Sequence, residues 1–280
     1  MNRSPLVSTD WLAERLNAPD IRVADASWYL PQAGRAAKLE YQSAHIPGAV
    51  FFDIDDLSDE NNPLPHMLAP APKFSSRMRK LGLGDGNMII VYDGAGIYSA
   101  PRAWWMLRAM GHEEVFVLDG GLPKWKREGR PIEDLAPQPF PRHFTARPNN
   151  ALVRDFAQVA HVLETRSAQI ADARGRPRFL GHEAEPRAGV RPGHIPGAIN
   201  IPYTELTCPD GTLRSQAELR DLFGTRGLNP AIPVITTCGS GITAATLMLA
   251  LAAAGTGHVS LYDGSWADWG ARSGAPIETG

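Results

Sequence analysis

Two segments of this 280-residue chain correspond to each other, and only the second holds a cysteine. VYDGAGIYSA carries Asp93, and ITTCGSGITA carries Cys238 in the corresponding place, 145 residues later. A thiol there is a potential nucleophile, which its carboxylate twin is not. Gly239 and Gly241 permit a tight turn with positive φ. Such a turn can aim the backbone N–H groups of Gly239, Ser240, Gly241, Ile242 and Thr243 at one point, forming an anion nest. The helix that follows adds its positive end. Together these features predict that Cys238 is held as a thiolate near neutral pH, and that a sulfur bonded to it as a persulfide would be cradled by the same amides. The competing reading is a buried cysteine that serves as a small hydrophobe; the strand–turn–helix setting favours the reactive one. Cys208, in LTCPDG, has no such setting and is read as incidental. A cysteine phosphatase needs an arginine six residues after its nucleophile to grip phosphate, and Ala244 stands there. A papain-like hydrolase would need a histidine base facing the cysteine, which the sequence leaves open.

The elements that must position Cys238 follow from the repeat. VADAS (23–27) pairs with IADAR (170–174), HIPGA recurs at 45–49 and 194–198, and VFVLDGGLPKW ending at Trp125 pairs with VSLYDGSWADW ending at Trp269. The offsets stay between 144 and 149, which indicates one duplicated domain with small loop changes and not a solenoid. Within each half, short β-branched runs (MIIVYD, EVFVLD, IPVITT, HVSLYD) alternate with helix-like segments (RAWWMLRAM, AATLMLALAAA). That alternation predicts an α/β fold with two mainly parallel sheets flanked by helices. The expected organisation is a first domain over residues 1–136, a proline-rich linker over 137–150 laid along the surface, and a second domain over 151–280. In such sheets ligands gather at the carboxyl ends of strands, where IPVITT places Cys238.

Composition narrows the setting. Hydrophobic residues make up 43% of the chain, enough for two cores. A formal charge of −2 gives no sign of a nucleic-acid or membrane partner. The run Ile242–Gly255 is too short to span a bilayer and reads as a buried helix. The opening MNRSPLVSTDWLAERLNAPD lacks the apolar core of a secretory signal. Two cysteines and no zinc-like spacing predict neither a disulfide framework nor a metal, and point to a reducing, cytoplasmic location.

The chain resembles the rhodanese superfamily, and within it the tandem-domain sulfurtransferases that act on 3-mercaptopyruvate. DASWYLP, HIPGAVFFDID, PLPHM and YSAPRAWWM carry the resemblance in the first half; EPRAGVRPGHIPGA, CGSGIT and LYDGSWADW carry it in the second. One departure is Asp268, where the family commonly has Glu. The resemblance implies a rhodanese fold in each half, an inactive first domain, and Cys238 as the catalytic residue. It implies that Arg178 and Arg187, among the five arginines between 174 and 191, bind the donor's carboxylate and carbonyl. It implies that Ser240 and Asp55 belong to a Cys-Ser-Asp proton relay and that His66 lies near the substrate. Thiosulfate-type relatives carry basic side chains directly after the cysteine, whereas Gly239 and Ser240 are uncharged, so the smaller 3-mercaptopyruvate is the expected donor. The expected acceptors are a small thiol, reduced thioredoxin or cyanide, and no cofactor is expected. Thiosulfate:cyanide transfer and a non-catalytic sulfur-relay or binding module are the alternatives. His45 and His194, present in both copies, read as structural; Asp53 and Asp55 could also cap a turn.

Overall fold

The computed structural model describes residues 4–135 and 137–280. Met1–Arg3 lie outside this description, as does Ala136, on which the expected domain boundary falls. The first half runs β1 (Leu6–Val7), α1 (Thr9–Ala13), β2 (Ile21–Asp25), α2 (Ala37–Ser43), β3 (Val50–Phe51), α3 (Ala71–Lys80), β4 (Met88–Tyr92), α4 (Ala100–Ala109), β5 (Val115–Leu118) and α5 (Gly121–Arg127). The second runs β6 (Val153–Arg154), α6 (Phe156–Thr165), β7 (Gln169–Asp172), α7 (Arg176–Phe179), β8 (Ile199–Asn200), α8 (Gln216–Thr225), β9 (Val234–Thr237), α9 (Ile242–Ala254), β10 (Val259–Tyr262) and α10 (Ser265–Trp269). The sheets are ordered β1-β5-β4-β2-β3 and β6-β10-β9-β7-β8, with every described pairing between these strands parallel. The order is the same in both, as a duplicated domain requires. β4 and β9 are the central strands, so their β-branched runs are buried on both faces.

α9 carries no polar face because it has no solvent side. It packs on β9 and β10, against α8, and across the interdomain boundary against α4. That contact joins the halves into a shared core containing Trp105, Leu107, Leu247 and Leu251. No helix among the described residues is long and apolar enough to cross a membrane. The stretch 137–149 has no regular secondary structure but is held closely to the first domain. Phe144 is fully buried, 5.9 Å from the Phe74 ring, and the amides of Arg147 and Asn149 donate to Met110 and Ala109 carbonyls at the end of α4.

Candidate active site

Cys238 follows β9 directly and is 2% exposed. Its own amide donates to Ser265 Oγ at 3.3 Å, and its carbonyl accepts from the Trp266 amide at 2.9 Å. The backbone of Cys238 is therefore clamped by α10, which leaves the following residues to form the turn. Gly241 ends that turn with φ 83°, a conformation that suits glycine, and no side chain caps α9.

The first domain shows what this turn is built to hold. Asp93 occupies the twin position, fully buried, and its carboxylate accepts four backbone N–H bonds. Ala95 donates to Oδ1 at 2.8 Å; Tyr98, Ser99 and Ala100 donate to Oδ2 at 2.8, 2.9 and 2.8 Å. Asp93 thus fills its own anion nest from within. The matching amides in the second domain belong to Ser240, Thr243, Ala244 and Ala245. For Ser240, Thr243 and Ala244 no described residue accepts the bond. These donors face the site unclaimed, and buried donors of this kind call for an acceptor.

Positive charge reaches the loop along a ladder. Asp172, at the end of β7, receives Arg174 in a fork (Nε to Oδ2 3.0 Å, Nη2 to Oδ2 2.7 Å). Arg174 passes on to Glu185 at 2.8 Å, and Glu185 also holds Arg178. Arg178 then stands over the cysteine loop: a Cβ on Gly239 would lie 3.1 Å from its Nη2. A side chain at 239 would press against this guanidinium from α7. Arg187 is half-buried and forms no ion pair among the described residues. Burial lowers its pKa from the ordinary arginine value; negative charge at Cys238 opposes this and Arg178 adds to it. Arg178 thus stands over the cysteine loop held by Glu185, and Arg187 lies within the electrostatic reach of Cys238, Arg178 and Glu185.

The first domain supplies the remaining wall. Asp55 Oδ1 lies 2.9 Å from His66 Nδ1, and Asp55 Oδ2 accepts from Trp28 Nε1 at 3.0 Å. Burial raises the Asp55 pKa, but these two partners outweigh it and hold the carboxyl below its usual value. Ser240 shares no hydrogen bond with Asp55, so the direct Ser–Asp relay that the resemblance implied is not formed; Asp55 is joined to His66 instead. His66 Nε2 is buried without a partner. Asp53, by contrast, caps the local turn by accepting from the amides of Asp55 and Asp56. His45 and His194 are structural: each is buried, with Nδ1 on a backbone carbonyl (2.7 and 2.8 Å), stacked on Tyr41 or Phe179. Cys208 sits in the turn of a small hairpin, its amide on the Thr212 carbonyl. Asp268 pairs with Tyr262 and Arg272, and its carboxylate supports α10.

Four contributors escaped the sequence reading: Glu185, Ser265, Arg102 and Trp28. Ser265 was visible in the repeat, where DGS stands against DGG. Among described non-glycine residues only His66, Arg166 and Ser265 have positive φ (61°, 52° and 49°). The twins of His66 and Ser265 are Gly211 and Gly121, both with positive φ. Backbone strain is thus accepted on the cysteine side at two positions where the other copy keeps glycine.

Comparison with known proteins agrees with this geometry. The family model described as rhodanese-like domain matches residues 8–128 and again 155–272. A 3-mercaptopyruvate sulfurtransferase of Escherichia coli (strain K12) is 45% identical, covering 99% of both chains. A thiosulfate sulfurtransferase of Rattus norvegicus is 41% identical, covering 98% of this chain and 94% of the other. The crystal structure of SseA from Escherichia coli, described among 3-mercaptopyruvate sulfotransferases, superposes with a TM-score of 0.87 at 44% identity, covering 94% of this chain and 99% of that one.

Proposed function

The chain belongs to the rhodanese-like family through both of its halves, and from that premise we propose that it is a sulfurtransferase that takes sulfur from 3-mercaptopyruvate. The observation that carries this is the twin nest: one copy is closed by the Asp93 carboxylate, and the other presents Cys238 beside unclaimed amides.

In the first half-reaction the Cys238 thiolate attacks the donor's sulfur. The carbon–sulfur bond breaks, its electron pair passes into the adjacent carbonyl, and the product leaves as the enolate of pyruvate. Arg178 and Arg187 hold the carboxylate and the developing oxyanion, where fixed cations are most effective. A proton then reaches the methylene carbon. In this reading Ser240 and the Asp55–His66 pair deliver it; the buried, unpartnered Nε2 of His66 supports the part given to that pair. The persulfide rests against the unclaimed amides of the cysteine turn, those of Ser240 and Thr243 among them. In the second half-reaction an acceptor thiol or cyanide takes the outer sulfur and restores the thiolate, so ping-pong kinetics follow. Reduced thioredoxin or a small thiol suits a reducing cytoplasm, as do two free cysteines.

Thiosulfate is the second reading, favoured by the 41% identity to the rat thiosulfate sulfurtransferase. Gly239 and Ser240 add no positive charge to balance the second negative charge of this dianion. Assaying both donors side by side with cyanide as acceptor decides the matter. The expected result is a kcat/KM for 3-mercaptopyruvate at least about 10-fold above that for thiosulfate, a difference of about 1.4 kcal/mol in transition-state binding. The reverse order would overturn the donor assignment.

A further inference from the structure

We infer that Arg102, contributed by the first domain, is a positioning residue for sulfur transfer; the inference rests on the function proposed above. Arg102 lies on α4 and is completely buried at the interdomain boundary. Its guanidinium stacks 4.3 Å over the Trp105 ring and pairs with Asp263 at 2.8 Å. Two carbonyls complete its surroundings. Nη1 donates to Gly241 at 3.4 Å, and Nη2 donates to His66. Asp263, 3% exposed, also accepts from the Leu68 amide at 2.8 Å.

The duplicated architecture provides an internal control. The twin of Arg102 is Leu247 on α9, the twin of Asp263 is Asp119, and the twins of Gly241 and His66 are Gly96 and Gly211. Asp119 accepts from the Leu213 amide at 2.8 Å, just as Asp263 accepts from Leu68. Gly96 and Gly211 pack backbone to backbone: a Cβ on Gly96 would lie 3.2 Å from the Gly211 carbonyl oxygen. The half of the interface far from Cys238 is therefore closed without a buried arginine; Arg127 reaches the Asp210 carbonyl there only from the exposed rim, at 2.7 Å. A buried ion pair is rarely a net gain in stability over an apolar contact. Its presence only beside the reactive cysteine indicates that it specifies geometry.

That geometry concerns two groups of the site. Gly241 closes the cysteine loop and opens α9. Drawing its carbonyl toward Arg102 sets the whole peptide plane, because the Ile242 N–H must point the opposite way. Arg102 thus fixes the direction of an amide in the nest. Through the His66 carbonyl it also pins the left-handed backbone whose imidazole meets Asp55. One planar fork can hold both carbonyls and a carboxylate, which a lysine ammonium cannot do with the same rigidity. A first domain without a nucleophile in this way contributes to the reaction of the second.

Two variants test this. Arg102→Leu/Asp263→Asn reproduces the apolar twin, leaves no unpaired buried charge and keeps an acceptor for Leu68. Arg102→Lys keeps the charge but loses the fork. Each is measured for thermal midpoint, for reactive cysteine by alkylation titration, and for kcat and KM with 3-mercaptopyruvate per titrated site. The expected result is a kcat lowered about 10- to 100-fold with KM changed less than about threefold, the scale of a misaligned catalytic group. Arg102→Lys should regain thermal midpoint more fully than rate. Wild-type kcat per titrated site in a folded variant would overturn the inference, as would a loss of rate that merely follows the loss of folded protein. Should the double variant fail to fold, Arg102→Lys alone decides. Failure of the wild type itself to take up sulfur would instead overturn the proposed function, which keeps the two results distinct.

Discussion

Asp25 and Asp172 end corresponding strands, β2 and β7, yet they have different partners. Asp172 is neutralised by Arg174, the root of the ladder that ends over Cys238. Asp25 has Ser27 at the matching position and receives only its amide, at 2.9 Å, and neutral hydroxyls. Burial therefore pushes the Asp25 carboxyl up to about 6, with Asp93 adding a little repulsion. The sign follows from linkage. A folded-state pKa above the unfolded one gives stability that is fully present below about pH 4 and lost as pH rises through about 6. Asp25→Asn keeps an acceptor for the Ser27 amide and removes the charge. It should leave stability nearly unchanged at pH 4 and raise it by roughly 2–3 kcal/mol at pH 8, read by denaturant unfolding at the two pH values. A gain of equal size at both values would show that charge is not the cause.

At the scale of elements, the cysteine loop and its twin demonstrate how one turn serves two ends. In the first domain the nest stabilises the start of α4 by accepting a built-in anion; in the second it stays open for an anion that comes and goes. Asp93→Ala would strand four donors, of which the amides of Ser99 and Ala100 are buried. It should destabilise the protein by about 3 kcal/mol or more, with the midpoint of denaturant unfolding falling at unchanged slope, while Cys238 keeps its reactivity. A loss under about 0.5 kcal/mol would mean that the first-domain nest carries no structural weight. These loops were legible in the sequence because strand, glycine turn and apolar helix are local patterns. Cys238 in its turn stands out from the residues themselves, whereas Arg178 and Arg187 are picked out only by resemblance. Glu185 could not, since an acid among five arginines gives no sign of which it will bind. The partner of Asp55 was also hidden: His66 lies eleven residues away, and only the folded turn sets their side chains together. Residues 137–149 have no regular secondary structure, and the burial of Phe144 beside Phe74 has no local signal in the sequence.

For the whole molecule, duplication gives the reaction its shelter. α4 and α9 pack across a pseudo-twofold boundary, and each half inserts a hairpin whose amide is held by an aspartate of the other, Leu68 on Asp263 and Leu213 on Asp119. Arg102 thereby reaches the Gly241 carbonyl beside the second domain's cysteine, and the Tyr98 carbonyl accepts from Thr246 on α9, although nothing in the spacing along the chain brings them there. The account depends on Cys238 alone carrying sulfur within this shared enclosure. Intact-protein mass measurement after exposure to 3-mercaptopyruvate, before any acceptor is added, tests this most directly. The wild type should gain the mass of one sulfur atom and lose it again when cyanide is supplied, while Cys238→Ser should gain nothing. A wild type that stays unmodified, or a Cys238→Ser variant that gains the same sulfur, would contradict it.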